Sequence, residues 1–295
     1  MRLVTFTHGG RTRLGRLEGG EVVDLRGSSL PSLMLALLEA GSDALAEAGK
    51  ADGPKLPLEE VRLEAPIARP PKILAVGLNY ADHVAETGRE IPTVPIIFNK
   101  QSTAVVGPFD PFHRPKVSQL LDYEGELAIV IGKRCRHVPK QKAHEVIAGY
   151  TVCNDVSVRD WQRRSPTMMM GKSFDTHCPL GPALVTVDEL GGTPSGHELR
   201  TLVNGELRQH SNTKELIFDC FELVEHLSTA FTLEPGDVIS TGTCGGVAAA
   251  MKPPKWLVPG DVVRIEIEGI GAIENPVIEE PETLALGPHE EGSPI

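Results

Sequence analysis

Chain-breaking residues set the tightest limit on what this chain can build. Its 295 residues include 24 prolines and 30 glycines, scattered along the whole sequence. Proline cannot donate to a helix or to a central sheet ladder, and glycine is costly inside either element, so long helices are disfavoured throughout. What remains is a set of short strands joined by tight turns. The expected class is therefore mixed α/β and β-rich.

The first residues alternate around Leu3, Val4, Thr5 and Phe6, turn at Gly9-Gly10, and continue through Leu14, Leu17, Gly19-Gly20 and Val22-Val23 as a small sheet. Ser32 is placed to cap an apolar helical stretch over 33–48 that can pack on that sheet. Prolines at 54, 57, 66, 70 and 71 then favour extended chain, which puts a boundary near residue 66. Residues 1–66 are expected to form a small N-terminal α/β domain and 67–280 the main domain. The segment 281–295 is acidic, bears Pro and Gly and lacks periodicity, so it reads as a disordered tail. In the main domain, strands are expected at 73–76, 127–131, 150–155, 238–241 and 262–267. Helical patterns are expected at 80–87, 157–162 and 218–230.

Forty acidic residues against 29 basic give a net charge of −11 without a Lys/Arg-rich block, which disfavours a groove for nucleic acid. No apolar run approaches a membrane span, and the first residues lack an apolar signal region, so a cytoplasmic protein without membrane contact is expected. Five scattered cysteines, with no C-x-x-C pair, argue against a disulfide framework or a zinc cluster. The partner should be a small molecule.

The strongest local signal is Asp122-Tyr123-Glu124-Gly125-Glu126. On a strand, Glu124 and Glu126 share a face while Gly125 leaves the opposite side open. Two like charges at that spacing repel unless a cation sits between them; a solvated strand edge is the plainer alternative. Asp155 adds a third carboxylate at the end of an apolar strand, where an unpaired charge is costly to bury. Three oxygen ligands without His or Cys suit a hard ion, Mg²⁺ first and Mn²⁺ or Ca²⁺ next. Ser157 and Asp160 resemble a helix start that sets Arg159 and Gln162 on one face, where they can hold an anion or serve as ordinary surface residues. His83 and Glu86, three apart on a short helix, have the spacing by which a carboxylate orients an imidazole base, or that of a surface ion pair. Gly242-Thr243-Cys244-Gly245-Gly246 and Gly269-Ile270-Gly271 complete no dinucleotide or P-loop pattern. They read as strand-end turns whose N–H groups, with the Thr243 hydroxyl, can bind a carboxylate.

From about Lys72 to Ile278 the order of these segments resembles the fumarylacetoacetate hydrolase superfamily. The resemblance rests on Val76-Gly77-Leu78-Asn79-Tyr80 with His83, the Asp-Tyr-Glu-Gly-Glu-Leu segment, Asn154 to Asp160, Lys172-Ser173-Phe174-Asp175, Gly181-Pro182, and Gly236 to Thr243. It implies a distorted β-sheet roll, a homodimer, and a metal at Glu124, Glu126 and Asp155. It also implies a lid-borne base at His83 with Glu86, and substrate contacts from Lys172, Arg159, Gln162 and Thr243. One departure is Cys244, where members commonly have Pro, and a looser turn is expected there.

The chemistry so implied is metal-assisted cleavage beside a carbonyl. The metal polarises a 2-oxo acid, Lys172 stabilises the enolate, and His83 activates the water that cleaves a 2,4-dioxo acid of acylpyruvate or fumarylpyruvate type. Without that water, the same pocket would decarboxylate or tautomerise oxaloacetate or a related 2-oxo acid. A third reading is a non-enzymatic β protein whose carboxylates hold Ca²⁺.

Overall fold

The computed structural model describes residues 1–192 and 194–282. Of the expected tail only Pro281 and Glu282 fall within the described residues.

A twelve-stranded sheet forms the body. Its strands run in the order Lys55–Pro57, Glu21–Asp24, Arg11–Glu18, Arg2–His8, Cys178–Thr186, Ile147–Asn154, Gly125–Ile131, Val238–Ser240, Ile73–Gly77 and Ile96–Lys100. Arg62–Glu64 pairs with Arg2–His8, and Val105–Val106 with Cys178–Thr186. A second sheet holds Glu206–Asn212, Glu198–Val203, Val262–Ile267, Gly271–Glu279 and Phe112–Arg114 in that order. This is the expected β-rich roll.

Gly125–Ile131 and Ile147–Asn154 are buried along their whole length, which is why both read as nearly unbroken apolar runs. Val262–Ile267 buries one face only. Val263, Ile265 and Ile267 enter the core while Arg264 and Glu266 stay half-buried, as the period of two requires. The N-terminal strands form a hairpin at Gly9-Gly10 and extend the same sheet, through Arg2 opposite Val185 and Leu3 opposite Leu184.

Two helical expectations need correction. The helix expected over 33–48 is two short ones, Met34–Glu39 and Ser42–Ala48, and Ser32 caps neither. They break at Gly41, whose φ of +90° a helix cannot hold and which glycine adopts without steric cost. Ser157 does not start a helix: Ser157–Val158 pairs with Leu121–Asp122, and the helix Arg159–Gln162 follows. The helix Cys220–Ala230 does form, begun by a reciprocal capping box between Asp219 and Glu222. The short helix Ala81–Thr87 also forms and ends at Gly88.

Candidate active site

Two paired strands deliver the three carboxylates. Glu124 and Glu126 flank Gly125 at the start of Gly125–Ile131, and Asp155 follows the last residue of Ile147–Asn154. The register sets Gly125 opposite Asn154, and the Asp155 N–H donates to the Glu124 carbonyl at 2.9 Å. One carboxylate oxygen from each residue then lies within 4.8 Å of the others. All three side chains are buried, which rules out the solvated strand edge.

The space behind Gly125 is not open, contrary to expectation. A Cβ there would lie 2.3 Å from Thr201 Oγ1 and 3.1 Å from Ile265 Cγ2. The second sheet approaches the carboxylate pair so closely that only glycine fits.

Buried cations surround the cluster. Lys172 Nζ bridges Glu124 Oε2 and Asp155 Oδ2, the latter at 2.7 Å. Lys100 Nζ donates to Asp155 Oδ1 at 2.6 Å, and Arg159 donates to Glu124 at 2.7 Å and to Asp122 at 2.8 Å. Asp122 also accepts the Ala248 and Ala249 N–H groups, which fixes the anchor of Arg159. Glu126 forms no ion pair among the described residues. It accepts the Ser240 hydroxyl at 2.6 Å and the Gly242 N–H at 2.8 Å.

Titration behaviour follows this geometry. Burial opposes the charge on Glu124, but Lys172, Arg159 and His83 outweigh it and hold the carboxyl well below its ordinary value. Burial, then Asp155 and Glu124, push Glu126 well above it. Burial also opposes the Lys172 ammonium, and Asp155 and Glu124 outweigh that and raise it. Four buried carboxylates thus meet three buried cations, and the unbalanced negative charge falls on Glu126. A divalent cation fits this site: the donors are oxygens only, and Glu126, which has hydrogen-bond donors but no ion pair among the described residues, needs a positive charge to ionise.

His83 and Glu86, on the helix Ala81–Thr87, stand beside the cluster. His83 Nδ1 is 2.7 Å from Glu86 Oε1, and the imidazole is close enough to Glu124 to favour its charge. Arg159 and Gln162 meet as their spacing implies, with Nη1 donating to Gln162 Oε1 at 3.0 Å. Arg159 Nη2 is buried without a partner among the described residues. Lys172 lies within the carboxylate cluster itself. Thr243 is already engaged: its hydroxyl donates to the Gly125 carbonyl at 3.0 Å and accepts from Gln209 Nε2 at 2.8 Å. The turn at Cys244 is not loose, because Gln209 also donates to the Cys244 carbonyl at 2.9 Å and the thiol is buried.

Sequence reasoning missed Lys100, Ser240 and Gln209, and left Asp122 without a role. Lys100 carried a usable signal. It ends the strand Ile96–Lys100 as Asp155 follows the strand Ile147–Asn154, and buried charges at two strand ends call for each other.

The roll and its buried carboxylates define an enzyme with a site fit for a hard divalent cation. The chain belongs to the fumarylacetoacetate hydrolase family: residues 72–278 match the domain described as "Fumarylacetoacetate (FAA) hydrolase C-terminal", and residues 1–66 match "Rv2993c-like, N-terminal". It is 45% identical over 289 residues to the mitochondrial oxaloacetate tautomerase of Xenopus laevis, covering 94% of this chain and 90% of that protein. Among solved structures, the fumarylacetoacetate hydrolase of Exiguobacterium antarcticum superposes with a TM-score of 0.85 at 39% identity, over 95% of this chain and 100% of that one. The maleylpyruvate hydrolase of Sphingobium sp. SYK-6 does so with a TM-score of 0.78 at 33% identity and the same coverage. No helix among the described residues is long and apolar enough to cross a membrane. The Xenopus relative is named as mitochondrial, a different compartment from the cytoplasm expected for this chain.

Proposed function

We propose that this enzyme interconverts the enol and keto forms of oxaloacetate or a closely related small 2-oxo acid, with Mg²⁺ or Mn²⁺ held by Glu124, Glu126 and Asp155. One observation carries this reading. An imidazole already ordered by a carboxylate stands beside a buried set of oxygen donors, in a chain similar to an oxaloacetate tautomerase over nearly its full length.

When bound, the ion supplies Lewis-acid polarisation of the 2-oxo oxygen. The chain's own residues do the rest. Arg159 keeps one guanidinium nitrogen unpaired for a substrate carboxylate, and Gln162 braces that side chain. Lys172 places a buried positive charge where the enolate oxygen gains negative charge. Glu86 accepts from Nδ1 of His83, which leaves Nε2 with a free lone pair. Nε2 removes a proton from C3; the C–H electron pair becomes the C2–C3 double bond, the carbonyl π pair moves to oxygen, and that oxygen takes a proton from solvent to give the enol while the imidazolium returns its own proton to solvent. The reverse sequence gives the keto acid. Thr243 supports the site through the Gly125 carbonyl rather than through the substrate.

A second reading is hydrolysis of an acylpyruvate, favoured by the same dyad as a water-activating base and by the likeness to two hydrolases. The two separate in one experiment. The enol of oxaloacetate and fumarylpyruvate are supplied in parallel with saturating Mg²⁺, and ketonisation, carbon dioxide release and carbon–carbon cleavage are followed. The proposal expects enol loss to be the fastest enzyme-dependent change. Faster cleavage of fumarylpyruvate, with enol loss at the solution rate, would establish the hydrolase reading instead.

A further inference from the structure

We propose that Tyr123 and the Gly246 peptide are positioning residues, forming with Glu86 a hydrogen-bonded relay that fixes where His83 sits and which of its ring nitrogens stays free. This inference rests on the reading of His83 as the base and extends it to residues that never touch substrate.

The relay runs through three contacts. Glu86 has two carboxylate oxygens with different partners: Oε1 meets His83 Nδ1 at 2.7 Å, and Oε2 accepts the Gly246 N–H at 2.8 Å. The Gly246 carbonyl, on the other side of that residue, accepts the Tyr123 hydroxyl at 2.9 Å. Tyr123 is fully buried between Asp122 and Glu124, so its ring belongs to the same rigid strand start as the carboxylate cluster. Its hydroxyl is the donor in that contact, because the Gly246 carbonyl can only accept. The lid helix, by contrast, is a single short segment of seven residues. Its functional face is tied to the turn at Gly246, and Tyr123 joins Gln209 in holding that turn.

The turn admits nothing but glycine at this point. Gly246 has a φ of +103°, and a Cβ there would lie 2.0 Å from the Arg208 carbonyl oxygen. Close backbone packing on one side and the Tyr123 hydroxyl on the other leave the N–H with one direction, toward Glu86. A carboxylate held at both oxygens cannot rotate away from the imidazole. It keeps Nδ1 protonated and directs the Nε2 lone pair elsewhere. The relay thus holds the imidazole as an oriented base without any further side chain on the lid.

Tyr123→Phe removes only the hydroxyl and keeps the buried ring. With the enol of oxaloacetate and saturating Mg²⁺, kcat is expected to fall about tenfold with KM changed by less than about twofold, the mark of a misplaced group rather than lost binding. In a His83→Ala background the same substitution should cost nothing further, because nothing is left to position. Nitrogen-15 spectra of the His83 ring should show one Nδ1-protonated tautomer in the native protein and a mixture in Tyr123→Phe. Independently of folding at position 123, the Gly246 amide should exchange slowly with solvent in the native enzyme and quickly in Glu86→Ala. Equal losses from Tyr123→Phe in both backgrounds, an unchanged tautomer, or a fast Gly246 amide in the native enzyme each overturn the relay while leaving His83 as the base. Full activity in His83→Ala overturns the base, and the relay with it.

Discussion

The carboxylate cluster and the His83–Glu86 dyad lie side by side but are built on opposite terms. Glu124, Glu126, Asp155, Lys100, Lys172 and Arg159 are all buried, and all but Glu126 are locked in ion pairs. They sit on or beside strands in the middle of the roll. His83 and Glu86 sit on a helix of seven residues and reach the body through the Gly246 N–H, while Asn79, just before the helix, bonds Thr241 and Phe218. The difference teaches a division of labour. In the proposed reaction the cluster of buried charges fixes where a cation and an anionic substrate reside, because moving any member exposes an unpaired charge to a low-dielectric interior. In that reaction the short helix that carries His83 and Glu86 brings one base to the substrate.

This contrast is open to attack at several points. Asp155→Asn should have the largest effect, since Lys100 loses its one counter-charge among the described residues and Lys172 loses one of its two. It should eliminate metal-dependent turnover and lower stability by about 3–5 kcal/mol, the cost of leaving buried charge unpaired. Denaturant melts that match the native protein would show that the cluster is not held together as described. Lys172→Met should lower kcat by about 10²–10³, the usual loss for one preorganised donor, and kinetics at saturating Mg²⁺ will read it.

Glu126→Gln sharpens the comparison from within the cluster. In chelator-treated protein Glu126 is raised above its unfolded value, so its share of stability is present at low pH and is lost as pH rises through the folded value. The metal-free protein should therefore weaken as pH climbs, and Glu126→Gln should flatten that decline while reducing Mg²⁺ affinity in calorimetry. A steeper decline in the variant would contradict the assignment of the unbalanced charge. Glu86→Gln should do least: about tenfold or less in kcat, because the imidazole survives, and a change in thermal stability within about 1 kcal/mol.

Much of this site was legible in the sequence, for reasons that also mark the limit. Glu124 and Glu126 share a face because strand geometry has a period of two, and His83 meets Glu86 because helix geometry brings i and i+3 together; both are local rules. Val263, Ile265 and Ile267 were readable as core in the same way. Lys100 is 55 residues from Asp155, and Ser240 is 114 from Glu126. Those pairs are made by sheet order, which local periodicity does not encode. The same holds for Gly125: local pattern says that its far side lacks a side chain, and only the second sheet says that the space is filled. The helix expected over 33–48 failed for a local reason that was visible, since Gly41 sits in the middle of it. The hydrogen bond from Gln209 to the Thr243 hydroxyl was illegible for a non-local reason, because Gln209 reaches it from the second sheet.

In the proposed reaction His83 moves the C3 proton of a 2-oxo acid held at the carboxylate cluster. Proton NMR of oxaloacetate in deuterated buffer with saturating Mg²⁺ follows that step directly, as loss of the methylene signal above the solution rate. The native enzyme should accelerate the exchange, chelation should remove the acceleration, and His83→Ala should reduce it by about 10²–10⁴, the range for a general base. Enzyme-accelerated exchange that survives unchanged in His83→Ala would contradict the claim.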